Sequence, residues 1–377
     1  MVVVNDPLFA HQHLYNILRT IASNKNAEVI LVSSSISLDK YNFPSSIKYR
    51  SIYIVRNPDL FKDLIALLQI ISIVISFRPS ITLSFTHKAA FITSIILPFF
   101  PFSTHVHTFT GQVWPNMRGI KRRLFCLMDS IISFSSDLAL TDSVSQTDYL
   151  NKYLYFGKNT IPLKPGSLSG IDLKKFYVNE NRDDSIKNNI KYIYLGRINK
   201  AKGIKDIIEI APIHFKKFPK DSITVIGPCE DKQIKNSLVN ISNIYPHNFF
   251  IMDFITNPEH YLRLSDILLL PSRREGFGNI IIEAAACGNP TIAYNIYGVK
   301  DAVINNKTGL LATPFVLSDF RRLMEHCSTN KTMLKELTHQ AISYSLKFDQ
   351  KIRTKAFIEA IKKYTSINLN PRRSGYL

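Results

Sequence analysis

Residues 266–311 read DILLLPSRREGFGNIIIEAAACGNPTIAYNIYGVKDAVINNKTGLL. The opening run, 266–271, has the makeup of a buried parallel strand that delivers the chain to a loop. In that loop Arg273, Arg274 and Glu275 precede Gly276-Phe277-Gly278, and residues 279–287 then form an apolar, Ala-rich run of helix formers. Gly288-Asn-Pro290 closes the helix, because a C-terminal Gly followed by Pro cannot extend it. Two glycines flanking an aromatic at a strand-to-helix turn let a ligand approach the backbone, and the helix N-terminus presents unpaired N–H groups to an anion. Such a turn suits a phosphate. Glu275 in the loop and Glu283 about one turn into the helix place two carboxylates beside it, with seven residues between them. Read alone, each Glu is also an ordinary helix-start carboxylate, favoured there by the dipole.

The pattern PS-x-x-EGFG-x-x-x-x-EA, with Gly288-x-Pro290 and Thr308-Gly309-Leu310 after it, resembles the retaining, nucleotide-sugar-dependent glycosyltransferases of GT-B fold whose mark is Glu, seven residues, Glu (family 4, glycosyl transferases group 1). The resemblance implies an α/β protein of two doubly wound, Rossmann-like domains facing each other across a cleft. It gives Glu275 the donor sugar, Glu283 the ribose hydroxyls, and Gly276, Phe277, Gly278 and Asn279 the diphosphate. Tyr297-Gly298-Val299 resembles the loop beside the donor sugar, which makes Gly298 a further binding candidate and departs from the more frequent Gly-Gly form. Arg274 is read as orienting Glu275, as binding phosphate, or as a solvated surface residue.

A second element precedes this one. Gly196-Arg197 to Lys202-Gly203 follows a strand expected over 191–195 and resembles the family's Arg and Lys that offset the charge of the leaving nucleoside diphosphate. Arg serves by two parallel hydrogen bonds and Lys as a point charge. No Asp-x-Asp triplet occurs in the chain, so no metal is expected. On the N-terminal side the family often places His before Gly at the end of the strand read here over 104–110. This chain has Thr110-Gly111 there and His107 three residues earlier, so His107 is the catalytic candidate, with a satisfied core histidine as the plain alternative. Gly111 and Trp114 are acceptor-loop candidates.

Elsewhere the chain alternates strands and helices throughout, as a parallel sheet with crossovers requires. Strands are expected over 2–4, 28–33, 49–55, 81–85, 104–110 and 138–143, then over 191–195, 222–226, 249–253, 266–270 and 291–294; helices include 60–77, 118–133 and a final basic one over 349–364. The expected domains are 1–173 for the acceptor, 174–346 for the nucleotide sugar, and 347–377 as a crossover helix and tail, with a polar linker over 179–189 and a frayed end over 368–377.

The 377 residues are long for one core, and 45% apolar content suffices for two. Net charge is +18, from 47 Lys and Arg against 29 Asp and Glu, with a pI near 9.6. Residues 1–170 hold 16 basic and 9 acidic side chains and the remainder 31 and 20, a surplus of +7 and +11 with no basic tail. That invites an anionic membrane or phosphorylated substrates, and in the absence of a nucleic-acid motif or an aromatic-interleaved stripe no nucleic acid is expected. Four separated cysteines show no metal or disulfide spacing, which fits a reducing cytoplasm. Asn5-Asp6-Pro7 follows Met1-Val-Val-Val at once, so no cleavable signal is expected. The apolar stretches 64–77 and 89–102 are short or Pro-broken and read as buried or membrane-facing helices, not spans.

These readings converge on an enzyme, a hexosyl- or N-acetylhexosaminyltransferase. It takes a sugar from a nucleotide-diphosphate donor, UDP-sugar favoured, to a lipid-linked oligosaccharide in O-antigen, lipopolysaccharide or capsule assembly. It needs no cofactor and sits in the cytoplasm, peripherally on the inner membrane. A sugar-nucleotide epimerase on the same fold and a non-catalytic nucleotide-sugar or membrane-binding protein are the alternatives.

Overall fold

The computed structural model describes residues 1–34, 41–55, 59–178 and 189–365. The linker expected over 179–189 lies outside the described residues, Asn189 apart, and the tail over 368–377 lies outside them entirely. The chain divides into two compact units, one of Met1–Gly170 with the stretch from Gln350 onward, the other Ile171–Asp349.

In the first unit, β1 (Val2–Val3) leads through the short α1 (Pro7–Phe9) and a π turn into α2 (Tyr15–Ala22). There follow β2 (Val29–Ser34), β3 (Ile47–Ile52), α3 (Leu60–Phe77), β4 (Ile81–Ser84), α4 (His87–Ile96) and β5 (Thr104–Phe109). Then come α5 (Gly119–Ser135), β6 (Leu138–Thr141), α6 (Val144–Tyr153) and β7 (Ile161–Pro162). Side-by-side order is β3-β2-β1-β4-β5-β6-β7, with every described pairing parallel. β3 starts two residues before the expected strand, because its pairing runs from Val29 with Ile47 to Ser34 with Ile52. It is the sheet's edge, so its apolar pattern is diluted by exposed Lys48 and Arg50.

Helices cover both faces of this sheet. Leu14, Ile17 and Leu18 pack with Leu31, Leu83 and Val106 on one side; Ala66, Ile70, Val74, Ala89 and Ile92 pack with Val3, Ile30 and Val32 on the other. The last helix, α14 (Gln350–Thr365), belongs to this unit. Buried Arg353 fixes it there by donating to the carbonyls of Leu163, Lys164 and Ser167.

The second unit runs β8 (Lys191–Leu195), α7 (Ile204–Lys217), β9 (Ser222–Ile226), α8 (Lys232–Ile244), β10 (Phe249–Met252), α9 (Pro258–Arg263) and β11 (Ile267–Leu270). It continues with α10 (Asn279–Ala286), β12 (Thr291–Tyr294), α11 (Val299–Ala302), β13 (Gly309–Ala312), α12 (Leu317–Thr329) and α13 (Lys331–Ser345). The order β10-β9-β8-β11-β12-β13 is again parallel. All four residues of β11 are buried, as a central strand covered on both faces demands. The sheet reverses direction of growth between β8 and β11, and in such sheets ligands bind outside the strands' carboxyl ends at that point.

Candidate active site

Three loops leave the carboxyl ends of neighbouring strands in the second unit: 196–203 after β8, 271–278 after β11 and 295–298 after β12. Glycine lets them crowd together. Gly203, at φ +73°, lies so close to the Pro271 carbonyl that a Cβ would fall 1.9 Å from its oxygen. Gly298, at φ +81°, would place a Cβ 2.6 Å from the carbonyl oxygens of both Glu275 and Gly276. The Arg273 N–H also donates to the Ala201 carbonyl at 2.9 Å, tying the first loop to the second.

Within this junction Lys202 Nζ donates to Glu275 Oε1 at 2.5 Å. Asn199 caps the turn beneath, its side chain accepting from the Lys202 N–H at 3.0 Å. Arg197 is exposed, and its carbonyl accepts the Tyr194 hydroxyl at 2.9 Å. Burial, and after it the charge of Glu275, holds the Tyr194 phenol above its usual range, so it remains a donor. Gly278, at φ +90°, stands at the N-terminus of α10 and supplies no side-chain cap to it.

The Phe277 ring is buried against Phe348, with centroids 5.2 Å apart, so this residue offers a ligand only its backbone. Glu283 sits inside α10, and burial pushes its carboxyl up to about 7, with Lys175 opposing and Glu259 adding to the shift. Lys175 is also paired with Glu259 at 3.3 Å.

A network that sequence reasoning missed supports the loops. Arg273 Nη2 donates to Asp206 Oδ1 and Oδ2 at 2.6 and 2.9 Å, and the Tyr294 hydroxyl donates to the same carboxylate at 2.5 Å. Asp206 lies in the first turn of α7 and Tyr294 at the end of β12. Nothing local in the sequence marks Asp206 beyond an acidic residue at a helix start.

The first-unit candidates fare differently. His107 is a core residue on β5, its Nδ1 3.0 Å from the Ser84 hydroxyl and its ring edge-on to Phe109. Burial, then the neighbouring His105 and His87, lowers its pKa well below the usual imidazole value. That placement is the one the plain alternative, a satisfied core histidine, describes. Trp114 is buried too, donating from Nε1 to Asp129 Oδ2 at 2.7 Å, so it anchors its loop and does not line it. Gly111 remains exposed at φ +125°. Among the described residues no group of three or more His, Cys, Asp or Glu side chains is placed to hold a metal ion.

Residues 178–347 match the model of the family described as glycosyl transferases group 1. The capsular polysaccharide biosynthesis glycosyltransferase CapM of Staphylococcus aureus is 28% identical over 308 residues, covering 80% of each chain. A D-inositol 3-phosphate glycosyltransferase of Rhodococcus erythropolis is 36% identical over 108 residues, 29% of this chain and 24% of the relative. Among solved structures, Anabaena Alr3699/HepE in complex with UDP and glucose superposes with a TM-score of 0.76 at 14% identity, covering 96% of this chain and 98% of that one. Sucrose-phosphate synthase of Thermosynechococcus elongatus gives 0.78 at 15% identity, covering 97% and 98%. At these identities the structural likeness shows the fold alone, and that fold is GT-B.

Proposed function

We infer that this glycosyltransferase, with its group 1 domain over residues 178–347, takes one sugar from a nucleotide-diphosphate donor to a lipid-linked oligosaccharide acceptor with retention of configuration. The observation that carries the reading is the meeting of Lys202 with Glu275 under a glycine turn, at the reversal point of a parallel sheet. In the reaction the bond from the anomeric carbon to the diphosphate oxygen breaks, and the nucleoside diphosphate leaves with the electron pair. The acceptor hydroxyl oxygen forms the new bond, and its proton goes to the departing phosphate.

Positive charge grows on the sugar and negative charge on the diphosphate, so fixed opposite charges at each end stabilise the transition state. Lys202 and Arg197 take the diphosphate, together with the backbone of Gly278 and Asn279 at the start of α10. Glu275 faces the sugar, Gly298 lets its loop lie beside it, and Glu283 binds the ribose hydroxyls. A UDP-sugar is favoured by the Anabaena structure with UDP, and capsule assembly by the Staphylococcus relative. The site of action is the inner surface of the cytoplasmic membrane.

Purified protein incubated with a panel of nucleotide sugars and a lipid-pyrophosphate acceptor tests this. Acceptor-dependent nucleotide release with one donor is expected; turnover of donor without acceptor would replace the reading with the epimerase.

A further inference from the structure

α3 has an unusual surface for a crossover helix. Thirteen of the 18 residues in Leu60–Phe77 are apolar; the helix fully buries only Ala66, Ile70 and Val74 and half-buries Leu67, Ile71, Ile73 and Phe77 against the same core. Leu60, Leu64, Leu68 and Ile75 form a ridge on another side, 92, 56, 58 and 58% exposed, with Phe61 beside it at 74%. A helix that is apolar nearly all round belongs in a core or in lipid, and this one reaches only partway into a core.

The neighbouring helices extend the face. α3 packs on α4 and α4 on α5, forming one layer over the sheet. Phe99, just beyond α4, is 79% exposed, and Phe102 carries the Arg78 guanidinium at 4.8 Å from its ring centre. On α5, Ile120, Leu124 and Leu127 repeat the pattern at helical spacing, all exposed.

Charge identifies the occupant. Residues 60–135 contain seven Lys and Arg and only two carboxylates, Asp63 and Asp129. Both carboxylates are taken, Asp63 by Lys88 at 2.5 Å and Asp129 by buried contacts with Trp114 and His87. Lys121 and Arg122 stand in the first turn of α5 and Arg123 just after it, where the helix dipole disfavours cations and no acidic residue of that turn offsets them. Arg122 lies over the Trp114 ring; Lys121 and Arg123 are exposed. A second copy of the same face would bring like charges together. Crossing a membrane is also ruled out for α3, because it connects β3 to β4 of one parallel sheet and is held on that sheet by its buried stripe.

We propose that the outer face of the α3–α5 layer docks on an anionic phospholipid bilayer, with α3 lying along the surface, its Leu and Phe side chains among the acyl chains, and Lys121 and Arg123 on lipid phosphates. Apolar insertion and electrostatic attraction together set the strength of such interfacial helices. This gives the membrane partner of the proposed function its surface, and it is testable apart from catalysis.

The test is co-sedimentation of the full chain with phosphatidylcholine vesicles and with vesicles also containing phosphatidylglycerol, at low and high salt. Wild type is expected to bind the anionic vesicles and to lose binding as salt rises. Leu64→Glu with Leu68→Glu is expected to lower the partition coefficient by about tenfold or more, with an unchanged melting temperature because both side chains are exposed. Lys121→Glu with Arg123→Glu leaves the apolar ridge whole and is expected to abolish the preference for phosphatidylglycerol. Equal binding by wild type and both variants, equal binding to the two vesicle types, or a Leu64/Leu68-dependent dimer without vesicle binding overturns the proposal. Nucleotide release with a water-soluble acceptor fragment separates the two claims: vesicle binding without transfer removes the enzyme reading alone, and transfer without vesicle binding removes the docking face alone.

Discussion

Arg273 and Asp206, 67 residues apart in the chain, are joined by two hydrogen bonds of 2.6 and 2.9 Å that clamp the loop after β11 to the first turn of α7. The guanidinium also lies over the Tyr294 and Phe315 rings, 5.3 and 4.8 Å from their centres. The loop after β11 carries Glu275, and Lys202 stands in the turn that leads directly into α7. The clamp therefore sets a distance at the site without needing to touch a ligand.

Asp206→Asn breaks the charge pairing of a mostly buried group and is expected to cost on the order of 2 kcal/mol of stability, reduced from the fully buried case because Arg273 is partly exposed. Arg273→Lys keeps the charge but loses the two-pronged geometry. Both variants are expected to lower kcat more than they weaken nucleotide binding. Steady-state kinetics beside thermal melting checks this, and an unchanged kcat in both would show that the clamp serves folding only.

Glu283 gives a pH dependence whose sign is fixed. Its carboxyl titrates at about 7 in the folded chain against a usual 4.5, so the folded state holds the extra proton across that interval. Stability tied to this group is present below about 4.5 and lost as pH rises through about 7. Glu283→Gln is expected to flatten the melting temperature between these limits and to raise it by a few degrees above pH 7, while the donor KM increases. Melting curves across pH settle it; a variant less stable than wild type at pH 8 contradicts the burial argument.

Gly298→Ala tests the crowding of the loops. The added Cβ meets Glu275 and Gly276 oxygens at 2.6 Å in a left-handed conformation, so the Glu275 loop must shift. A fall in kcat of about tenfold or more is expected, as sub-ångström misplacement of catalytic groups is costly. Gly119→Ala is the control, with a similar φ of +63° and nothing within 4 Å of the new carbon. It should cost about 1 kcal/mol of stability and leave kcat alone.

Much of this architecture was legible because its signals are local. A strand of four buried residues, a Gly-Phe-Gly turn and a Gly-Asn-Pro stop each declare themselves within a few positions, and β8, β9, β12 and α3 lie over the expected ranges. The site's support was not legible, since nothing near Asp206 reveals that its partner arrives 67 residues later. His107 was ambiguous for another reason. Both faces of a parallel strand are covered, so alternation along 104–110 cannot tell an open position from one bonded to Ser84 in the sheet. Trp114, in a loop with Gly and Pro, reads as a surface aromatic until Asp129 on α5 is seen to accept its N–H.

The most direct test is Glu275→Ala, assayed for transfer at saturating donor and, in parallel, for nucleoside diphosphate binding by calorimetry. The proposed role predicts a kcat lower by roughly 10²–10³, the usual loss for one electrostatic catalytic group. Nucleoside diphosphate should bind at least as tightly as to wild type, because Lys202 no longer shares its charge with a carboxylate 2.5 Å away. A variant that transfers sugar at near wild-type kcat would contradict the account.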